Sequence, residues 1–301
     1  MNFPRKMALR AGLTLALLAA SGLAAAASTA FTATYKGGST SACNSSYNMS
    51  GQEPSTSGKY PVMVYIGGTG ESYTSNWANA AVAAAAAKGF VAASVQYDNA
   101  SFGTCATIGQ RGKCIFDPNN VNSAIAKLCS RAKADCSKGV VTMGLSQGSV
   151  ISVLSRDNDP RIQASLGQGA GTTYTAAYNL NSCMAAGGHA QANDRVRIIN
   201  GIRDMFVGGS ATTARVSGET VTGLKCSSTS QSCYRANGSG WHVVQNLDVL
   251  DGYADHCFMG YGGNDYISQC SGALVDSNYQ NGSGAWALPA SITWLKSFVT
   301  P

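Results

Sequence analysis

Apolar residues in this chain come in short continuous runs separated by longer stretches that alternate in a helical manner. Phe31 to Tyr35 alternates like an edge strand, and the Ser-, Gly- and Asn-rich stretch 36–59 reads as loop. Pro61 to Ile66 is a β-branched and apolar run that stops at Gly67-Gly68-Thr69-Gly70, and an alanine-rich helix is predicted over Trp77 to Lys88. Phe90 to Val95 is a second buried strand, followed by a polar, cysteine-bearing loop. Further along, the pattern predicts a helix at Asn120 to Arg131, a strand at Gly139 to Met143 and a helix from about Gln147 to Ser155. Two more strands are expected near Ile162 to Leu166 and Val196 to Ile202.

Strands that are apolar on both faces and alternate with helices imply an α/β fold, a mostly parallel sheet covered by helices on each side. No internal repeat and no long linker interrupts it, so residues 27–301 are expected to form one domain. Two polar stretches, 171–194 and 208–240, sit between sheet elements where small cap insertions would go, or where disulfide-stapled surface loops would.

Residues 1–26 change the picture. Arg5, Lys6 and Arg10 precede an apolar run from Ala11 to Ala20 and then Ala24-Ala25-Ala26, the layout of a secretory signal peptide. The apolar run is too short to span a bilayer, so a secreted, extracellular or periplasmic protein without a membrane span is expected. Removing the segment takes away three positive charges and no acid, so the balance of +6 falls to +3. The remaining Lys and Arg form no basic stripe, which argues against a nucleic-acid partner.

All ten cysteines lie after residue 26, an even number in an exported chain, and none has the spacing of a zinc knuckle. Near-neighbour spacing suggests Cys105–Cys114, Cys129–Cys136, Cys226–Cys233 and Cys257–Cys270, leaving Cys43 with Cys183, although spacing alone does not fix connectivity.

The segment with chemistry is Met143-Gly144-Leu145-Ser146-Gln147-Gly148, a strand running into a Gly-x-Ser-x-Gly turn and out into a helix. Such a turn strains the serine backbone and needs glycine on both flanks, because a side chain there would collide with neighbouring elements. Ser146 is therefore the candidate nucleophile. A serine hydroxyl needs a base, and the base needs an acid to orient it. Of the three histidines, His189 precedes any suitable acid and His242 lies in what reads as strand interior, Trp241-His242-Val243. His256 lies in a loop beyond the last strand and is the favoured base. Asp204, at the exit of the strand ending near Ile202, is the favoured acid, with Asp248 and Asp251 as fallbacks; Asp255 is too close in sequence to reach the ring of His256. For an oxyanion hole, Gln147 supplies one backbone N–H and the glycine-rich turn the other, with Thr69 first and Gly68 second. The same turn brings Gly68 close to a bound substrate, and Tyr73 and Trp77 beyond it, with Trp241, would line an acyl or aromatic pocket or belong to the core.

With these residues in hand, the stretch 60–300 resembles the α/β-hydrolase superfamily. The Ser-Gln-Gly elbow resembles that of cutinases and acetylxylan esterases. Pro61 to Gly70 resembles the strand and oxyanion turn of dienelactone-hydrolase-like enzymes and polyester depolymerases. Gly67 departs from the histidine many relatives carry there, and 208–240 matches no insert of those families. The resemblance implies ester hydrolysis through an acyl-enzyme without metal or organic cofactor; a monomeric carboxylesterase is expected, acting on an ester that could be polymeric or carbohydrate-linked. An acyltransferase using the same triad, or an inactive binding protein on a hydrolase scaffold, is the alternative.

Overall fold

The structure is a computed structural model, and it describes residues 27–38, 43, 45–174, 178–261 and 274–301. The signal segment expected at 1–26 lies outside the described residues. In chain order the elements are β1 (Ser28–Tyr35), β2 (Tyr47–Pro54), β3 (Val62–Ile66), α1 (Asn76–Ala87), β4 (Val91–Val95), α2 (Cys105–Phe116), α3 (Ala124–Cys129), β5 (Val140–Leu145), α4 (Gln147–Leu154) and β6 (Ile162–Gln168). Then follow β7 (Thr173–Tyr174), β8 (Tyr178–Asn179), α5 (Asn181–Met184), β9 (Val196–Gly201), α6 (Ala211–Thr222), β10 (Ser232–Tyr234), β11 (Gly240–Val244), β12 (Gly260–Tyr261), β13 (Leu274–Val275), α7 (Ser277–Asn281) and α8 (Leu288–Lys296).

Nine strands form one sheet in the order β1-β2-β4-β3-β5-β6-β9-β11-β10. The six from β4 to β11 run parallel, while β1, β2 and β10 are antiparallel at the two ends. The parallel strands are apolar throughout because helices cover both faces. In β3, Val62, Val64 and Ile66 point into the core beneath α2, α3, α4 and α6, whereas Met63 and Tyr65 point to the core beneath α1, α7 and α8. Among the described residues no helix is long and apolar enough to cross a membrane.

The predicted α/β class is the observed one, with local corrections. The stretch 36–59, expected as loop, contains β2, whose polar sequence pairs with β1 on one side and β4 on the other. The cysteine-bearing loop after β4 contains helix α2, capped by the Thr104 side chain. The helix expected at 120–131 is confined to 124–129, where Ser123 caps its start. The stretch 208–240 does not stand off the sheet: α6 covers β9 and β11, and β10 is the sheet's last strand. The stretch 171–194 holds the β7/β8 hairpin and α5.

Two suggested disulfides are found, Cys129–Cys136 and Cys226–Cys233. The other long-range bridges are Cys43–Cys114 and Cys105–Cys183, not Cys105–Cys114 and Cys43–Cys183. Helix α2 explains the correction. Cys105 and Cys114 sit on one helix nine residues apart, a rise of about 13 Å, and a disulfide needs Cα atoms within about 7 Å. Each end of α2 is instead stapled to a different segment. Cys257 is disulfide-bonded, and its expected partner Cys270 lies outside the described residues.

Candidate active site

Strand β5 ends in Leu145 and helix α4 begins at Gln147, so a single residue, Ser146, makes the whole reversal. Its φ is 55° and ψ −121°, the only positive φ outside glycine among the described residues. The flanking glycines are required by contact. A Cβ at Gly144 would lie 2.1 Å from the Gly148 carbonyl oxygen, and one at Gly148 would lie 2.1 Å from that of Ile66. The Ser146 amide is tied to the next strand, donating to the Gln168 carbonyl at 2.8 Å.

Asp204 follows β9 and His256 follows β11, two adjacent parallel strands whose exits meet at the sheet's carboxyl edge. The Arg203 amide donates to the Ala254 carbonyl at 2.8 Å, which binds the two exits together. Nδ1 of His256 is 2.8 Å from Oδ2 of Asp204, and the aspartate is fully buried. The other aspartate oxygen accepts from the amides of Phe206 and Val207, which leaves Oδ2 facing Nδ1 of His256. Nε2 of His256 is buried with no hydrogen-bond partner among the described residues. The Phe206 ring packs on the imidazole at 4.5 Å between centroids.

Gly169 joins this pair to the elbow. It immediately follows Gln168, the residue that accepts from the Ser146 amide, and a Cβ on it would lie 2.6 Å from Cε1 of His256. Only glycine, here at φ 58°, lets the imidazole close on this strand end. Tyr174 braces the same point, its hydroxyl donating to the Gly169 carbonyl at 2.7 Å.

The turn after β3 meets the elbow from the other side. A Cβ on Gly68 would lie 3.1 Å from that of Ser146. Its N–H is engaged, donating to Oε2 of Glu71 at 2.6 Å. Thr69 is exposed, and its Oγ1 accepts from Nε2 of Gln147 at 3.2 Å, so the two residues predicted to frame an oxyanion touch through their side chains.

Glu71 was not legible as a site residue. Its buried carboxylate also accepts from Ser75 Oγ at 2.6 Å, Trp77 Nε1 at 2.6 Å and Tyr65 OH at 3.2 Å. Burial raises its pKa, and these hydrogen bonds oppose the rise. Trp77 is thus a core residue beneath the turn rather than a pocket wall, and Trp241 is likewise buried, its indole N–H bonded to the Leu224 carbonyl at 2.8 Å. Tyr73 is half-buried. His242 lies in β11 stacked on Tyr234, with its pKa lowered to about 4 chiefly by burial, and burial also lowers that of His189. Asp248 accepts from the Gln245 amide and Asp251 from that of Tyr253.

The chain matches no family model and no curated protein. Among solved structures it is similar to a hypothetical protein from Pseudomonas aeruginosa, at 12% identity and a TM-score of 0.38, over 60% of this chain and 52% of that one. It is similar to esterase Est22 at 14% identity and a TM-score of 0.39, over 58% of this chain and 64% of that one. It is similar to DcsB, solved with a substrate analogue, at 15% identity and a TM-score of 0.37, over 49% of this chain and 48% of that one. The matched part therefore spans about half to two thirds of those structures' length.

Proposed function

We propose that this protein is a secreted serine hydrolase of the α/β-hydrolase type that cleaves carboxylic esters through an acyl-enzyme. The observation that carries the reading is the bonded His256–Asp204 pair at the same sheet edge as a strained Ser146, with the Gly169 backbone between them. In this reading Ser146 Oγ attacks the ester carbonyl carbon while Nε2 of His256 takes its proton, and Asp204 stabilises the imidazolium that results. The backbone N–H groups of Thr69 and Gln147 receive the oxyanion. His256 then protonates the leaving alcohol, and water, activated by the same nitrogen, releases the acid.

The test is hydrolysis of a short p-nitrophenyl ester by the wild type and by Ser146→Ala, together with labelling by a fluorophosphonate. Turnover and labelling should both vanish in the variant. Undiminished turnover removes Ser146 from the mechanism.

A further inference from the structure

Helix α2 buries a cation behind the elbow. Arg111 is 5% exposed, and the nearest acid, Asp98, is 4.0 Å away and half in solvent. A buried guanidinium so weakly compensated costs stability that an apolar residue among Ile108, Ile115 and Phe116 would not. What it contacts explains its presence. Nη1 donates to Oε1 of Gln147 and, at 2.9 Å, to the Ser101 carbonyl.

With Oε1 engaged by the guanidinium, the Gln147 carboxamide has one orientation. Its Nε2 must face the other way, where it donates to Thr69 Oγ1 and to the Ser101 carbonyl, each at 3.2 Å. A chain of hydrogen bonds thus runs from α2 through the first residue of α4 to the glycine-rich turn. We propose that Arg111 is a positioning residue, which through the Gln147 side chain fixes the separation of the two backbone N–H groups that would receive an oxyanion. This rests on the ester-hydrolase reading above. It follows because donors that must be in place before charge develops are effective only if something rigid holds them.

The experiment is a double-mutant cycle of Arg111→Met and Gln147→Ala in the full chain, with Arg111→Lys alongside, read by steady-state kinetics, fluorophosphonate stoichiometry and thermal melting. Each single change should lower kcat roughly tenfold or more, a fraction of the loss from deleting an oxyanion donor, with KM within about twofold. The double variant should be no worse than Gln147→Ala, because the arginine acts only through that side chain. Lysine should recover part of the loss. If the methionine variant does not fold, the lysine variant carries the same cycle. Losses that multiply in the double variant, or an unchanged kcat per labelled molecule in the arginine variants, overturn the role of Arg111 alone. A wild type that neither hydrolyses esters nor takes the label overturns the ester-hydrolase reading and this inference with it.

Discussion

The Asp204 carboxylate serves two masters at once, His256 through Oδ2 at 2.8 Å and the amides of its own turn through Oδ1. Asparagine can keep only one of these as an acceptor. If its oxygen stays on the turn, its NH2 faces Nδ1 and forces the proton onto Nε2, the nitrogen that must accept. Asp204→Asn should therefore retain its fold and lose about 10³–10⁴-fold in kcat. Asp204→Ala should lose similar activity and in addition about 1 kcal/mol of stability, because the turn loses its side-chain cap. Kinetics and urea denaturation of the two variants separate these contributions, and an Asp204→Asn enzyme within tenfold of wild type would disprove the assignment.

Strain at Ser146 is measurable without substrate. A non-glycine residue at φ 55° costs on the order of 1–2 kcal/mol, and alanine inherits that cost whereas glycine does not. Ser146→Gly should be more stable than Ser146→Ala by about that amount, less the glycine's greater unfolded-state freedom. A Ser146→Gly variant less stable than Ser146→Ala by the full unfolded-state cost of glycine, about 0.4–1 kcal/mol, would mean that the elbow is unstrained.

Asp255 gives a pH signature. Burial raises its pKa to about 6, with Asp204 and Asp251 adding to the rise and the Cys257 amide and His256 opposing it. A raised acid favours the folded state fully below its unfolded pKa of about 3.9, and that contribution is lost as pH climbs through the folded value. Asp255→Asn cannot ionise and can still accept from the Cys257 amide through Oδ1. It should match wild type near pH 3 and exceed it by about 1–3 kcal/mol at pH 8. Thermal melting at the two pH values decides, and a difference of the opposite sign refutes the assignment.

The disulfides should separate stability from activity. Cys105–Cys183 closes 78 residues and Cys129–Cys136 closes 7. On loop entropy their removal costs about 4 and about 2 kcal/mol respectively. Only the first anchors α2, the helix that carries Arg111, so Cys105→Ser/Cys183→Ser should also lower kcat per folded molecule. Cys129→Ser/Cys136→Ser should leave it unchanged.

What the sequence showed and concealed follows from how locally each feature is encoded. Apolar runs such as Val62 to Ile66 report burial on both faces and announced the parallel strands directly. The Gly144-Leu145-Ser146-Gln147-Gly148 turn is set by contacts within five residues and two neighbouring strands, so its form was legible. The nearness of Asp204 and His256 was reachable from their places after the last two parallel strands. Strand β2 was hidden because, apart from Tyr47 and Met49 in the core, Tyr47 to Pro54 is mostly polar and is held by backbone pairing on both edges. Helix α2 was hidden because Gly109 and Gly112 lower its helix propensity, while two disulfides and buried Ile108, Ile115 and Phe116 hold it. Arg111 and Glu71 carry no local sequence signal of a buried role. Only the tertiary fold brings Gln147 to one and an indole and two hydroxyls to the other.

Glu71 provides the sharpest contrast between two substitutions. Its Oε1 accepts from three side chains, while Oε2 accepts only from the Gly68 amide. In Glu71→Gln the one remaining carbonyl oxygen belongs with the three donors, which turns the NH2 group toward the Gly68 N–H, donor against donor. The turn must then shift, and with it the neighbouring Thr69 amide, while Ser75 and Trp77 keep their partner. Activity should drop about tenfold to a hundredfold, mostly in kcat, and tryptophan fluorescence at the start of α1 should change little. Glu71→Ala instead strands all four donors, at about 1–3 kcal/mol for each that finds no water, and should melt far below both other proteins. If glutamine and alanine are equally unstable, the carboxylate is a core support alone; if glutamine keeps full activity, the Gly68 bond does not govern the turn.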